Sequence, residues 1–459
     1  MHFDTQAAAS SLFFDTALLP DGWASEVRVS IRSGRIEAVE TGVQPLSSDE
    51  RHGCGLPGMP NLHSHAFQRG MAGLAERRGP AGDSFWTWRE TMYCFVDRMT
   101  PDDVRAIAAL AYVEMLESGF TRVGEFHYLH HDLGGQRFAD RAEMGAAIAA
   151  AAAESGIGLT LLPVLYTYAG FGALPPRPEQ ARFILGLDDY ALLIDASDRA
   201  VSALPDAIVG VAPHSLRAVS PEQLHGLAAL SAGRPVHIHI AEQEKEVSDC
   251  TAWSGQRPVE WLLDHAAVDE HWCLVHATHM TPMETAALAR SGAVAGLCPI
   301  TEANLGDGLF PAEDFVASGG LYGIGSDSNV MIDCAQELRL LEYGQRLGQR
   351  GRNIMAQDAG RSTGADLFNA ALRGGAAALG VPAGLAVGRS ADIVSLDCGH
   401  PSLTGRAGDP LLDGFIFSAG SNAIDCVWRH GAKMVSAGRH RDRGRVIARY
   451  RAVLANLLA

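Results

Sequence analysis

The 459-residue sequence predicts a TIM-like (β/α)8 barrel with a small β-sandwich domain built from both ends of the chain. Between residues 56 and 380, eight short apolar runs alternate with longer stretches of helical periodicity. Residues 1–55 and 381–440 read instead as short strands separated by turns. Metal-ligating residue types also recur at the ends of the eight apolar runs, the rim where such a barrel keeps its reactive groups.

The small domain opens with a hairpin. Val27, Val29 and Ile31 alternate with polar residues, Ser33-Gly34 turns the chain, and Ile36 and Val39 resume. Barrel strands are expected at 56–62, 121–126, 159–165, 208–212, 236–240, 273–276, 294–297 and 321–324. The clearest helix starts at Thr100-Pro101-Asp102-Asp103, a capping threonine followed by proline and two acids. It runs through Val104, Ile107, Leu110, Ala111, Val113 and Leu116 and stops at Gly119. A second helix is expected over 141–155, ended by Gly156. Strand texture returns at 391–396, 426–428 and 434–435, and 441–459 reads as a C-terminal helix.

Composition narrows the function classes. A hydrophobic content of 47% suits one large core with a smaller appendage. A net charge of −16 argues against nucleic-acid binding, which needs a basic surface. No apolar run reaches the roughly 20 residues that span a bilayer. Met1-His2-Phe3-Asp4 has no secretory character, and the eight cysteines are dispersed without a Cys-x-x-Cys. Reduced thiols and a cytoplasmic location are therefore expected. The only lysines are Lys245 and Lys433, so arginine must receive any anionic ligand.

His63-Ser64-His65 ends the first barrel run. Residues i and i+2 of a strand face the same way, so both imidazoles can reach one metal ion. His239, at the end of Val236-His237-Ile238-His239-Ile240, supplies a third ligand, and Asp327, after the eighth run, a hard oxygen. Glu242 lies three residues past His239, close enough to shuttle a proton from a metal-bound water. His276 ends the sixth run and is assigned to substrate polarisation; His237 and His279 are read as structural. Any one of these is also what a packed histidine or turn aspartate looks like. Together, on the rim of one barrel, they predict a metal-dependent hydrolase.

This ordered set resembles the amidohydrolase superfamily over almost the whole chain. Many members bridge two metals with a carboxylated lysine from the fourth strand; no lysine precedes Lys245 here, which favours the mononuclear deaminase branch. The resemblance implies one Zn2+ per chain, with other divalent transition metals compatible with the ligands. It also implies a homodimer, since dimers are common among similar enzymes.

Arg89 and Arg217 are both candidates for the mouth of the site, and two guanidiniums suit a small dianionic substrate. Three phrases resemble the formimidoylglutamate deiminase family: Leu62-His63-Ser64-His65-Ala66-Phe67-Gln68-Arg69-Gly70, Phe85-Trp86-Thr87-Trp88-Arg89 and Thr301-Glu302-Ala303-Asn304-Leu305-Gly306-Asp307-Gly308. That family converts N-formimidoyl-L-glutamate and water to N-formyl-L-glutamate and ammonia in histidine degradation. By motif, Gln68, Arg89, Tyr128, His214 and Arg217 are the implied substrate contacts, and Glu242, His276 and Asp327 the catalytic groups. Any of those three stands ready to take the first proton. The alternatives are a deaminase of guanine, an adenosine-type nucleoside or a chlorotriazine, and a non-catalytic binding module.

Overall fold

The computed structural model describes residues 10–78 and 85–459; Met1-His2-Phe3-Asp4 and Asp83-Ser84 lie outside the described residues. Its eight barrel strands are Met59–Ser64, Phe120–His127, Gly158–Leu165, a fourth in two pieces (Ile208–Val209 and Ala212–Pro213), Val236–Ile240, Trp272–His276, Val294–Leu297 and Leu321–Ile324. Each pairs in parallel with the next within two sheets. Two seams close the barrel. Bridges Val211 to Val236 and Ser215 to His239 join the fourth and fifth strands, and Ser64 to Asp327 joins the first and eighth. At that second seam, Asp327 N–H donates to the His63 carbonyl (3.0 Å) and His65 N–H to that of Asp327 (2.9 Å).

The helix Pro101–Glu117 forms as its cap predicts. Asp103 N–H donates to Thr100 Oγ1 (3.3 Å), and Thr100 N–H returns the bond to the Asp103 carboxylate (2.9 Å). Its inner face buries Val104, Ile107, Leu110 and Leu116. The helix expected over 141–155 begins at Glu143 and ends on left-handed Gly156 (φ 77°).

The strand expected over 56–62 divides at Gly58. Pro57 is the last residue of Glu50–Pro57, which pairs with Ile393–Leu396, whereas Met59 opens the barrel. Gly58 N–H donates to the Asp392 carbonyl, and a Cβ on Gly58 would stand 2.3 Å from Thr121 Cγ2. Both sheets bury apolar side chains, so one apolar run conceals the change of sheet.

The terminal strands form one eight-stranded sheet, in the order Arg439–His440, Ala432–Ser436, Ile424–Arg429, Ile393–Leu396, Glu50–Pro57, Ser10–Leu19, Gly22–Arg32, Arg35–Glu40. Phe14 and Trp428 lie three strand spacings apart, about 14 Å in a flat sheet, yet their ring centroids are 6.5 Å apart. The sheet therefore curls, and a single sheet encloses the core of Leu12, Val27, Val29, Ile36 and Ile393. The C-terminal helix Arg443–Leu458 packs on Pro101–Glu117.

Candidate active site

His63 is the last residue but one of the first strand and His65 lies just past its end, His239 is the last residue but one of the fifth, and Asp327 follows the eighth. His63 Nε2 lies 3.3 Å from His65 Nε2 and 3.0 Å from His239 Nε2. Asp327 Oδ1 lies 3.3 Å from His65 Nε2 and 3.6 Å from His63 Nε2. A tetrahedron with metal–nitrogen bonds near 2.0–2.1 Å has edges of about 3.3–3.4 Å. The donor set fits such an ion.

The imidazoles are prepared as neutral ligands. His65 Nδ1–H donates to the Phe126 carbonyl (2.8 Å) and His239 Nδ1–H to that of His214 (3.1 Å), which leaves both Nε2 lone pairs facing the shared point. Burial pushes His63 and His239 well below the usual range, with the other imidazoles adding to it, and takes His65 down to about 3. Three nitrogens without protons crowd one another unless a cation sits between them. Beneath them, Glu125 Oε1 accepts from Ala66 N–H (2.7 Å), and burial pushes its carboxyl up to about 8.

On the other side of Asp327, His276 Nε2 lies 3.8 Å from Asp327 Oδ2 and 3.7 Å from Glu242 Oε1, and its Nδ1 lies 3.2 Å from Glu302 Oε1. Burial opposes a charge on His276, but the surrounding carboxylates outweigh it and push the imidazole up to about 10. Burial raises Glu242 and takes Asp327 up to about 6. The arrangement can hold and pass a proton within a few ångströms of the metal group. Ala241, His276, Ala277, Asp327 and Asn329 all have positive φ, so strained backbone gathers at this rim.

A family model described as the amidohydrolase family matches residues 55–434, and the model for the N-terminal domain of formimidoylglutamate deiminase HutF matches residues 10–53. The chain belongs to the amidohydrolase family. A formimidoylglutamate deiminase of Pseudomonas aeruginosa is 52% identical over 454 residues, covering 98% of this chain and 100% of that one, which puts the chain in the deiminase branch. The crystal structure of an amidohydrolase from Brucella melitensis matches with a TM-score of 0.95 at 53% identity, covering 98% and 100% of the two chains. An adenosine deaminase from Xanthomonas campestris, solved with bound zinc, shares the fold (TM-score 0.80, 22% identity, 98% of each chain).

The amidohydrolase barrel gathers the five expected substrate contacts into the same pocket, with Gln68, Arg89, Tyr128, His214 and Arg217 lining it beside His65, His239, Glu242, His276 and Asp327. Gln68 Nε2 donates to the Tyr128 hydroxyl (2.9 Å), and Gln68 Oε1 is buried without a partner among the described residues. The Arg89 and Arg217 guanidiniums stand 4.5 Å and 5.8 Å from the Trp86 ring. Among the described residues neither is paired with a carboxylate within 4.0 Å, and both Nε atoms are buried and unpartnered. Burial pushes Arg89 down; Arg217 is raised, as Tyr166, Glu246 and Glu242 outweigh its burial.

Sequence reading missed several supports. Glu302, inside a quoted motif but given no task there, holds His276 Nδ1 and accepts from Cys298 N–H (2.9 Å). Asn329 Nδ2 donates to Ser64 Oγ and to the carbonyls of His65 and Asp327. Arg182 donates to the carbonyls of His131, Val96 and Met99 and secures the wall beside Phe183. An Asn next to a metal-ligating Asp-Ser was the one available signal. His237, read as structural, donates from Nε2 to the Ala378 carbonyl (2.7 Å). Among the described residues no helix is long and apolar enough to cross a membrane.

Proposed function

We propose that the chain hydrolyses N-formimidoyl-L-glutamate to N-formyl-L-glutamate and ammonia, a step of histidine degradation. The observation that carries this reading is the pair of guanidiniums, Arg89 and Arg217, without carboxylate partners among the described residues and beside a His-His-His-Asp group in one pocket. Identity of 52% over 98% of the chain with a formimidoylglutamate deiminase supports it. A purine has no carboxylates to offer two arginines.

His63, His65, His239 and Asp327 would hold one Zn2+ per chain, in keeping with the zinc of the Xanthomonas campestris deaminase. When bound, zinc lowers the pKa of a water from 15.7 to about 7 and so makes a nucleophile available at neutral pH. Arg89 and Arg217 take the two substrate carboxylates in bidentate fashion and so fix the formimidoyl carbon over the metal group. Gln68, Tyr128 and His214 line the cavity between and orient the amidine. Glu242 moves protons from water to the leaving nitrogen. His276, held from behind by Glu302, steadies the charge that builds as the C–N bond breaks. The reading includes a cytoplasmic homodimer, which light scattering tests, and a division of the chain at residues 55, 380 and 440.

Zinc-loaded protein offered N-formimidoyl-L-glutamate, guanine and adenosine tests this function. Ammonia from the first alone, with N-formylglutamate identified by mass, is the expected result. Deamination of a purine in its place overturns the substrate, and silence on all three overturns the activity.

A further inference from the structure

Asp307 is a buried acid to which the mechanism above gives no task. It follows the helix Pro299–Leu305, and its N–H donates to the Glu302 carbonyl (2.9 Å). Oδ1 accepts from Gln243 Nε2, while Oδ2 is buried with no partner among the described residues. A carboxylate oxygen of Asp307, one of Glu242 and a nitrogen of His276 lie within 4.8 Å of one another.

Among the described residues, the other charged groups that act on this pair are Glu302 on the preceding helix, Asp327 beyond the eighth strand, and Arg217, which acts on Glu242 from beyond the fourth. Four carboxyls thus crowd one imidazole. Two carboxyls this close in a buried site do not both ionise, and the one farther from compensating charge keeps the proton.

We propose that Asp307 is a positioning residue, kept as a neutral acid whose Oδ2 proton is held against the carboxylate of Glu242. A protonated carboxyl has one O–H to give. Gln243 already donates to Oδ1, so the proton belongs on Oδ2, the atom without a partner. Burial first, then the neighbouring Glu242 carboxylate, pushes Asp307 up to about 9, in the same direction.

The inference rests on the deiminase reading in one respect, that Glu242 carries the protons. The imine nitrogen holds one hydrogen, and both water protons pass through Glu242 to it. The C–O bond forms, the C–N bond breaks, ammonia leaves, and Asp307 has the same proton at the end as at the start. Its O–H keeps Glu242 aimed and anionic between transfers.

The test is the pH profile of kcat/KM for zinc-loaded wild type, Asp307→Asn and Asp307→Ala, with zinc content measured for each. Ionisation of Asp307 near pH 9 sets a second anion against Glu242 and removes the donor, so wild-type activity falls on the alkaline side. Asparagine keeps an N–H donor and cannot ionise, so the alkaline limb moves up by about one pH unit or more. Alanine supplies no donor, which makes Glu242 harder to ionise and moves the acid limb up. Limbs in Asp307→Asn that superimpose on those of wild type overturn the proposal. So does wild-type activity that stays level from about pH 7 to about pH 10, a result that needs no variant to fold. A wild type that releases no ammonia overturns the deiminase reading and this inference together, whereas active wild type with unmoved limbs overturns this inference alone.

Discussion

Asn329 ties the two ends of the metal group together without facing the shared point itself. One amide nitrogen reaches Ser64, His65 and Asp327, so the first and eighth strands are locked where both present ligands. Asn329→Ala removes these bonds from a left-handed residue and should weaken zinc binding by about 10- to 100-fold, read by competition with a chelator. Arg89→Ala or Arg217→Ala removes one charged contact of about 1.5–3 kcal/mol and should lower kcat/KM roughly 10- to 150-fold with zinc content unchanged. The ligands themselves were legible because each ends an apolar run, and the run gives it a face. Asp307 and Asn329 lie in loops with no period and Glu302 on a two-turn helix too short to show one, and their partners are set by tertiary approach.

Among the elements, the barrel helices and strands were readable where local chemistry and burial agree. Thr100→Ala should destabilise the fold by about 1 kcal/mol through the lost cap and leave kcat/KM unchanged, since the cap lies outside the pocket. Gly374 sits in the helix Thr363–Ala378 where a Cβ would stand 1.8 Å from the Tyr322 carbonyl oxygen. Backbone cannot move aside as a side chain can, so Gly374→Ala should cost about 3 kcal/mol or more, seen as a lower melting temperature or insoluble protein. Periodicity reads neither feature of the strands that the structure adds. The switch of sheet at Gly58 and the break of the fourth strand between Val209 and Ala212 depend on which edge each backbone group meets.

At the scale of the whole molecule, several buried imidazoles held neutral make stability depend on pH. Burial, the largest cause, lowers His65 to about 3 and His127 and His237 to about 4. In the unfolded chain each takes a proton below about pH 6.5, which the native fold refuses until the pH is much lower. Stability is therefore lost progressively as pH falls from about 6.5 to about 4, and on to about 3 for His65, and the melting temperature of the metal-free protein should fall across that window. The barrel with its two-ended β domain was visible in the order of strands and helices. The curl that lets one sheet act as a sandwich was not, because alternation marks a buried face without showing what covers it.

The most direct test of the central claim compares ammonia release from N-formimidoyl-L-glutamate with release from N-formimidoylglycine, which carries one carboxylate. With both arginines engaged by the first and only one by the second, kcat/KM should differ roughly 10- to 150-fold. Equal values for the two would contradict a pocket in which Arg89 and Arg217 select a dianion.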